Sequence, residues 1–453
     1  MEATGSKAVI LGISETGEKI PAAAGRISTQ PGTATEIFEK SQDGEKNRNL
    51  IVKVTQSGHN STIEHTVYHL AFENVSVFAE QFLIEFRLAS FTVKSRRYVD
   101  FSHSGYYIPD SLPPETAGRY TETMEALFQT YTALTELGVA KEDARFVLPY
   151  CLCSNFFCTA NAREFLHILR AMLYGRGAAF PELKELGLQL LQQARELTPG
   201  ILSEFESRCE GREDPAFPLF PKSESGAPDD AIALLGATPN AAGLIARTAL
   251  LEEGYSDADA FTLAQDSAYR EEILHYLFTS PRPRALEAAC FTYRVSGISL
   301  SCLTHFARHR MQSIQIPCLT YANRSRHVTP VFPSDKAEML YENAFRQANE
   351  LYQALKETGA TENTLVYTLL SGNTIDIVTT MNGRELALFF RLRCCNRAQW
   401  EIREHADEML RLGRQNQPEL FRFFGPSCFM GSCPEGRMSC GRQTEMREKY
   451  SKL

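Results

Sequence analysis

The chain is short of several things. It has one tryptophan in 453 residues, so its aromatic burial falls to 28 phenylalanines and 17 tyrosines. No apolar run approaches the ~20 residues that cross a bilayer, which argues against a helical membrane protein. No G-x-G-x-x-G follows a β-rich stretch, which argues against a Rossmann dinucleotide site. Residues 1–7 lack the basic-then-apolar layout of a secretory leader. Cations are in deficit: 47 Lys and Arg stand against 55 Asp and Glu, a formal charge of −8. General affinity for nucleic acid or an anionic membrane surface is therefore not expected, and any anionic ligand must be held by a local cluster of arginines. Twelve cysteines without a leader point to a reducing, cytoplasmic setting, with thiols or metal ligands rather than disulfides. The rest of the composition is ordinary for a globular protein: 43% hydrophobic and 23% charged residues, enough chain for two or three domains.

One stretch departs from the average. Arg308, His309 and Arg310 follow the mostly apolar run 298–303. Cations this dense at the end of an apolar element are costly to desolvate unless an anion meets them; the plainer reading is a solvated helix end. An earlier stretch, residues 81–90, runs in the same register and continues into Lys94, Ser95, Arg96, Arg97 and Tyr98. The correspondence extends along the chain. Residues 8–12 are echoed at 231–236, Glu64 matches Glu287, Arg87 matches Arg310, and Asn161-Ala162-Arg163-Glu164 matches Asn382-Gly383-Arg384-Glu385, at offsets between 221 and 224. Offsets this constant indicate two copies of one domain of about 200 residues. A run dense in Glu, Asp, Pro, Gly and Ser reads as a linker at 211–227, leaving copy one at 1–210 and copy two at 228–453.

Within each copy the pattern is mixed. Residues 50–54, 72–77 and 290–295 read as short strands. Residues 115–137, 337–358, 161–174 and 384–412 carry apolar residues at helical spacing. The fold class expected is α+β.

These residues resemble the flavin-dependent thymidylate synthases, whose signature is R-H-R, a serine three residues on, then S-x-R-Y. Further matches are His59-Asn60-Ser61-Thr62-Ile63-Glu64-His65, residues 161–167, residues 382–393, and Ala398-Gln399-Trp400-Glu401-Ile402-Arg403. The resemblance covers nearly the whole chain, in both halves. It implies two tandem domains of the thymidylate-synthase-complementing type. It also implies FAD carrying hydride from NADPH, methylenetetrahydrofolate as carbon donor, and conversion of dUMP to dTMP. The family is homotetrameric with active sites shared between subunits, so two of these chains would pair as a homodimer to give a pseudo-tetramer of four domains. The nucleophilic Pro-Cys-His motif of the unrelated folate-only synthases is absent, in keeping with the resemblance.

The departures from the family pattern divide between the copies. Copy one reads Glu85-Phe86-Arg87 for R-H-R and Met172 for a substrate arginine, yet keeps Ser95, Arg97, Tyr98, Arg145, His59, Ser61, Asn161, Arg163 and His167. Copy two keeps Arg308, His309, Arg310, Asn382, Arg384 and Arg393. It has Arg282 and Arg284 for the H-x-S pair, Cys318-Leu319-Thr320-Tyr321 for S-x-R-Y, Val366 opposite Arg145, Leu388 for a flavin-motif residue, and His305 where a glutamine would hold the pyrimidine. In the family one subunit supplies the S-x-R-Y loop and its neighbour R-H-R. The expectation is one composite site per chain and one decayed pseudo-site.

The chemistry suits these residue types. A nucleotide monophosphate is close to dianionic, and planar guanidinium forks match two oxygens at once. Ser95, Arg97 and Arg145 are the candidate phosphate cradle, with His305 as a further substrate contact. Arg308 and Arg393 are candidates to bind the pyrimidine and stabilise charge on its carbonyls. For FAD the candidates are His59, Ser61, Glu64, Asn161, Arg163, His167, Arg308, His309, Arg310, Asn382 and Arg384. Plainer roles stand beside these: a surface salt bridge for Asn-x-Arg-Glu, a cap for His59 or His65, a core histidine at His167, and a structural Glu64 or Glu287. The tail places Cys428, Cys433 and Cys440 at x4 and x6 spacing, with Cys394-Cys395 able to add a fourth ligand. The choice there lies between zinc and free thiols. Two other functions compete with dTMP synthesis: a decayed flavin- or nucleotide-binding protein without turnover, and flavin-dependent C5-alkylation of another uridine nucleotide.

Overall fold

The computed structural model describes residues 5–212, 214, 218, 220 and 231–453; most of the expected linker 211–227 lies outside them. The chain forms two compact units. Unit 1 takes residues 1–223 together with 329–372, and unit 2 takes 224–328 with 373–453. The expected α+β mixture is the one observed, and the sheets are antiparallel.

In unit 1 the strands β1 (Lys7–Ile13), β2 (Val67–Ser76), β3 (Ser90–Val93) and β4 (Cys153–Asn161) pair antiparallel in the order β1-β2-β4-β3. In unit 2, β5 (Ile232–Ala237), β6 (Cys290–Ser299), β7 (Ser313–Gln315), β8 (Asn323–His327) and β9 (Asn373–Asn382) repeat the plan as β5-β6-β9-β7, with β8 also on β9.

The repeats agree in fine detail. β2 bulges between Phe72 and Val75, where Asn74 adopts φ 53° and its N–H donates to Asn155 Oδ1 at 3.1 Å. β6 bulges between Val295 and Ile298, where Gly297 adopts φ 70° and its N–H donates to Asp376 Oδ1 at 2.7 Å. A left-handed bulge residue favours Gly or Asn, and each copy has one of them. Beyond the bulge, Ser76 and Ser299 cap the buried helices Val77–Ile84 and Leu300–Ala307. Each serine also binds a buried carboxylate. Glu182 takes Ser76 N and Oγ at 2.7 and 2.5 Å, and Glu401 takes Ser299 N and Oγ at 2.7 and 2.6 Å. A buried carboxylate is tolerable only when its lone pairs are filled in this way. The strand-to-helix corner that aims the R-H-R position is thus held alike in both copies.

Unit 1 also contains two long helices, Pro114–Glu136 and Asp335–Glu357, one from each repeat. Tyr120, Met124, Leu127, Phe128 and Tyr131 of the first are buried, as are Tyr341, Ala344, Ala348, Leu351 and Leu355 of the second. Beside them Tyr150 N donates to Leu369 O, Ser371 N to Leu148 O, and Gly372 N to Phe146 O, at 2.7, 2.9 and 2.8 Å. A Cβ at Gly372 would stand 3.0 Å from the Phe146 Cβ, so the approach requires glycine.

Two sequence expectations are corrected. Residues 50–54 are not a strand but part of the helix Gly44–Gln56. Their β-branched run suggested a sheet, yet Asn47, Ile51 and Thr55 bury one face at four-residue spacing, and Asp43 caps the N-terminus through Glu45 N and Lys46 N. The single helix expected at 384–412 is two, Gly383–Arg393 and Trp400–Asn416, and the second is capped by Gln399 through Ile402 N. No helix among the described residues is long and apolar enough to cross a membrane.

Candidate functional site

In unit 2, Arg308 closes the helix Leu300–Ala307 at its C-cap. The backbone then turns so that Arg308 and Arg310 are exposed while His309 is 4% exposed. Alongside runs the helix Gly383–Arg393, N-capped by Asn382, whose Oδ1 accepts from Glu385 N at 2.9 Å. That cap fixes Glu385 on the inner face, where its Oε1 lies 2.9 Å from His309 Nδ1. On the other side of the ring, Arg393 Nε donates to His309 Nε2 at 3.0 Å. A guanidinium can only donate, so Nε2 must be the acceptor and Nδ1 carries the proton given to Glu385. Burial lowers the His309 pKa, and the Arg393 charge lowers it further, against the raising pull of Glu385. The ring is neutral, wedged edge-on against Phe389 at 5.0 Å.

This carboxylate–imidazole–guanidinium line fixes the aim of Arg393, whose Nη2 also donates to the His305 carbonyl at 3.0 Å. His305 itself is 7% exposed, and it meets Arg393 through this backbone oxygen. Behind the line, fully buried Gln312 accepts from Thr379 Oγ1 at 2.6 Å and donates to Phe306 O. Arg384 pairs with Glu287 at 2.6 Å on the surface.

Unit 1 carries the same frame with different contents. Asn161 caps Glu164 N at 2.9 Å, and Arg163 pairs with Glu64 at 2.8 Å. The line itself is gone. Phe86 takes the place of His309, fully buried Met172 that of Arg393, and Glu164 Oε1 accepts instead from Leu88 N at 3.3 Å. Glu85, where Arg308 would stand, binds Arg176 at 2.7 Å, and Arg176 lies 4.6 Å above the Phe82 ring. His167 is exposed, 3.4 Å from Glu164 Oε2. His59, just before the turn Asn60–His65, and Ser61 within it are both exposed, close in sequence to Glu64.

The phosphate-cradle candidates come together in unit 1. Arg97 Nε binds Glu142 Oε2 at 2.7 Å, and buried Arg145 donates from Nε to the Glu142 carbonyl at 3.0 Å. Ser95 Oγ accepts from Arg97 N at 3.3 Å, and Tyr98 is exposed beside Arg97. Both guanidiniums are therefore anchored through one residue, Glu142, which sequence reasoning did not single out. It missed Arg96 too: this residue, free in the S-x-R-Y pattern, is 8% exposed and pairs with buried Glu80 at 2.8 Å, with Ser154 Oγ donating to the same carboxylate. Unit 2 has Leu319, Leu303 and Ile375 at those three positions.

Matching against known families decides the membership. The model of the thymidylate synthase complementing protein family matches residues 10–200 and again 233–419. The chain belongs to that family, as two tandem copies. A flavin-dependent thymidylate synthase of Geobacter sulfurreducens is 35% identical over 232 residues, spanning 49% of this chain and 98% of the relative. One of Clostridium tetani is 30% identical, spanning 48% of this chain and 96% of the relative. Among solved structures, a UMP/dUMP methylase of Streptomyces cacaoi bound with 5-Br dUMP is 25% identical over 46% of this chain and 97% of its own, with a TM-score of 0.39. Copy two holds the Glu385–His309–Arg393 line, and copy one holds Arg97 and Arg145 on Glu142.

Proposed function

We propose that this chain is an FAD-dependent thymidylate synthase that converts dUMP to dTMP with methylenetetrahydrofolate and NADPH. Each chain supplies one working nucleotide site, built from the copy-one loop and the copy-two arginines, and acts in the cytoplasm as a homodimer. The observation that carries this reading is the Glu385–His309–Arg393 line, kept in one copy and replaced by Glu164, Phe86 and Met172 in the other.

The residues fit the ligands. Arg97 and Arg145 present two guanidiniums held by Glu142, an arrangement suited to a phosphate dianion, with the Ser95 hydroxyl as a further partner. Arg393 cannot swing freely, because His309 and the His305 carbonyl hold two of its N–H groups; a preoriented donor stabilises charge developing on a uracil carbonyl more than the ground state. Neutral His309 matters here, since an imidazolium could not accept from Arg393. Exposed Arg308 and Arg310 flank the line and suit the flavin's pyrophosphate, while exposed His59, Ser61 and Arg163 suit its outer edge. FAD, when bound, supplies the hydride relay between NADPH and the transferred carbon.

The test is direct. Protein purified with FAD, NADPH, methylenetetrahydrofolate and [5-³H]dUMP should release tritium to water in step with dTMP formation. Flavin-loaded protein that binds dUMP yet releases no tritium would refute the activity.

A further inference from the structure

The buried carboxylate that braces the serine corner is less fully satisfied in unit 2 than in unit 1. Glu182 accepts four hydrogen bonds. Its Oε1 takes Ser76 N and Ser6 Oγ, both at 2.7 Å, and its Oε2 takes Ser76 Oγ at 2.5 Å and Tyr367 OH at 3.0 Å. Four is the full capacity of a carboxylate. Glu401, only 3% exposed, accepts just the two from Ser299 among the described residues. Each of its oxygens keeps a lone pair, and burying a carboxylate in that state is costly unless a cation meets it.

The surroundings of the two carboxylates differ to match. In unit 2 the Cys302 sulfur, a Glu401 oxygen and a His405 ring nitrogen lie within 4.8 Å of one another, with His405 Nε2 standing 3.9 Å from Glu401 Oε1. Unit 1 has Ala79 and Leu186 at the positions of Cys302 and His405, neither able to ligate. The copy whose glutamate lacks two hydrogen bonds is thus the copy with two metal-type donors beside it. Glu401 and His405 are four residues apart on the helix Trp400–Asn416, a spacing that presents both to one ion. Buried Cys302 comes from the helix Leu300–Ala307. The tail thiols Cys428, Cys433 and Cys440 form no set of three donors this close among the described residues.

We propose that Cys302, Glu401 and His405 bind one divalent cation of the zinc class, which fills on Glu401 the place that the Ser6 and Tyr367 hydroxyls fill on Glu182. A thiolate, a carboxylate and a neutral imidazole leave a dication with no net charge, which suits a buried position. Mixed sulfur, nitrogen and oxygen ligands are a zinc-type set, whereas calcium and magnesium take oxygen. Tetrahedral bonds of about 2.0–2.3 Å hold their donors about 3.3–3.7 Å apart, so the widest gap here need close by only about 1 Å. His405 also lines a cavity of about 740 Å³ with Tyr321, Asn323, Arg326 and Asp376, which gives water access to the fourth position. On binding, the thiol proton leaves to that water. Because Glu401 also holds the Ser299 corner, the ion would stiffen the start of the helix that ends at Arg308.

The test uses full-length protein purified anaerobically, freed of metal with a chelator and titrated with cobalt(II). Wild type should take up one cobalt per chain with a thiolate-to-metal charge-transfer band, and zinc should displace it. Cys302→Ala and His405→Leu restore the copy-one residues and so suit the frame; each should lose that one equivalent, while Cys433→Ser should keep it. Where a variant does not fold, X-ray absorption of zinc-loaded wild type decides, with one sulfur among nitrogen and oxygen neighbours expected. Wild type that takes up no metal, variants that take up as much as wild type, or zinc surrounded by sulfur alone would overturn the proposal.

Discussion

The two copies solve one architectural problem with two chemistries. Each ends a bulged strand in a serine, caps a short buried helix and braces it with a buried glutamate. Each sets an asparagine-capped helix alongside. Copy two fills this frame with Glu385, His309 and Arg393; copy one keeps the glutamate and fills the rest with Phe86 and Met172. In the neighbouring loop the trade is reversed. Copy one buries the ion pair Glu80–Arg96 with Ser154, where copy two packs Leu303, Leu319 and Ile375. The frame is therefore a matter of packing, which survives the exchange, while the proposed function rests on a few polar groups that differ between the copies.

The comparison can be broken most forcefully at the buried pair. Removing one partner, as in Glu80→Leu or Arg96→Leu, strands the other charge and should cost roughly 3–5 kcal/mol. The double variant, which imitates copy two, should cost much less than the sum, because apolar replacement of a whole buried pair is close to neutral. Chemical denaturation of the four members of this cycle measures it; additive costs would show that the pair is not a unit.

Next in size is Arg393→Met, which gives copy two the residue of copy one. Turnover of dUMP should fall by about two to three orders of magnitude, with the thermal midpoint little changed, as measured by tritium release and calorimetry. The reverse change, Met172→Arg, should add no activity and should destabilise, since it buries a cation without the His309 partner.

A smaller effect is expected from pH. The His309 pKa is lowered in the folded state, so the unfolded chain takes the proton first. The ring's contribution to stability is full above its ordinary value near 6.5 and is lost as pH falls through the folded value. Binding of dUMP should weaken over the same window, as Nε2 ceases to accept from Arg393. His309→Gln should flatten that pH dependence in a binding titration.

The smallest effect belongs to the exposed pairs. Arg163→Ala and Arg384→Ala each remove a surface ion pair worth up to about 1 kcal/mol. A clear loss of FAD affinity in either variant, without loss of stability, would mark the residue as a flavin contact; unchanged affinity in both would leave the pairs structural.

Much of this was legible because duplication supplies its own comparison. The repeat offset picked out Arg310, Glu287 and Asn382 with no alignment. The helices at 115–137 and 337–358 were readable from spacing, since both bury a regular stripe. The hidden part depends on distance across the fold. Asn161 and Asn382 read as flavin candidates, and nothing local announces that their side chains also cap helices. Glu385 was visible only as part of a surface-like motif, although it grips His309. Arg96 and Glu80 lie 16 positions apart, and nothing local says that they meet. The strand expected at 50–54 failed because β-branched composition outweighed a four-residue burial period. That residues 329–372 lie in unit 1 rests on matching helix faces from different repeats, which periodicity alone cannot pair.

The central claim is that two eroded copies together make one nucleotide site. Titration calorimetry of the FAD-loaded protein with dUMP measures this most directly. The account predicts about one dUMP per chain, and none when either Arg97 or Arg393 is replaced. Two dUMP per chain, or binding that survives the loss of either arginine, would contradict it.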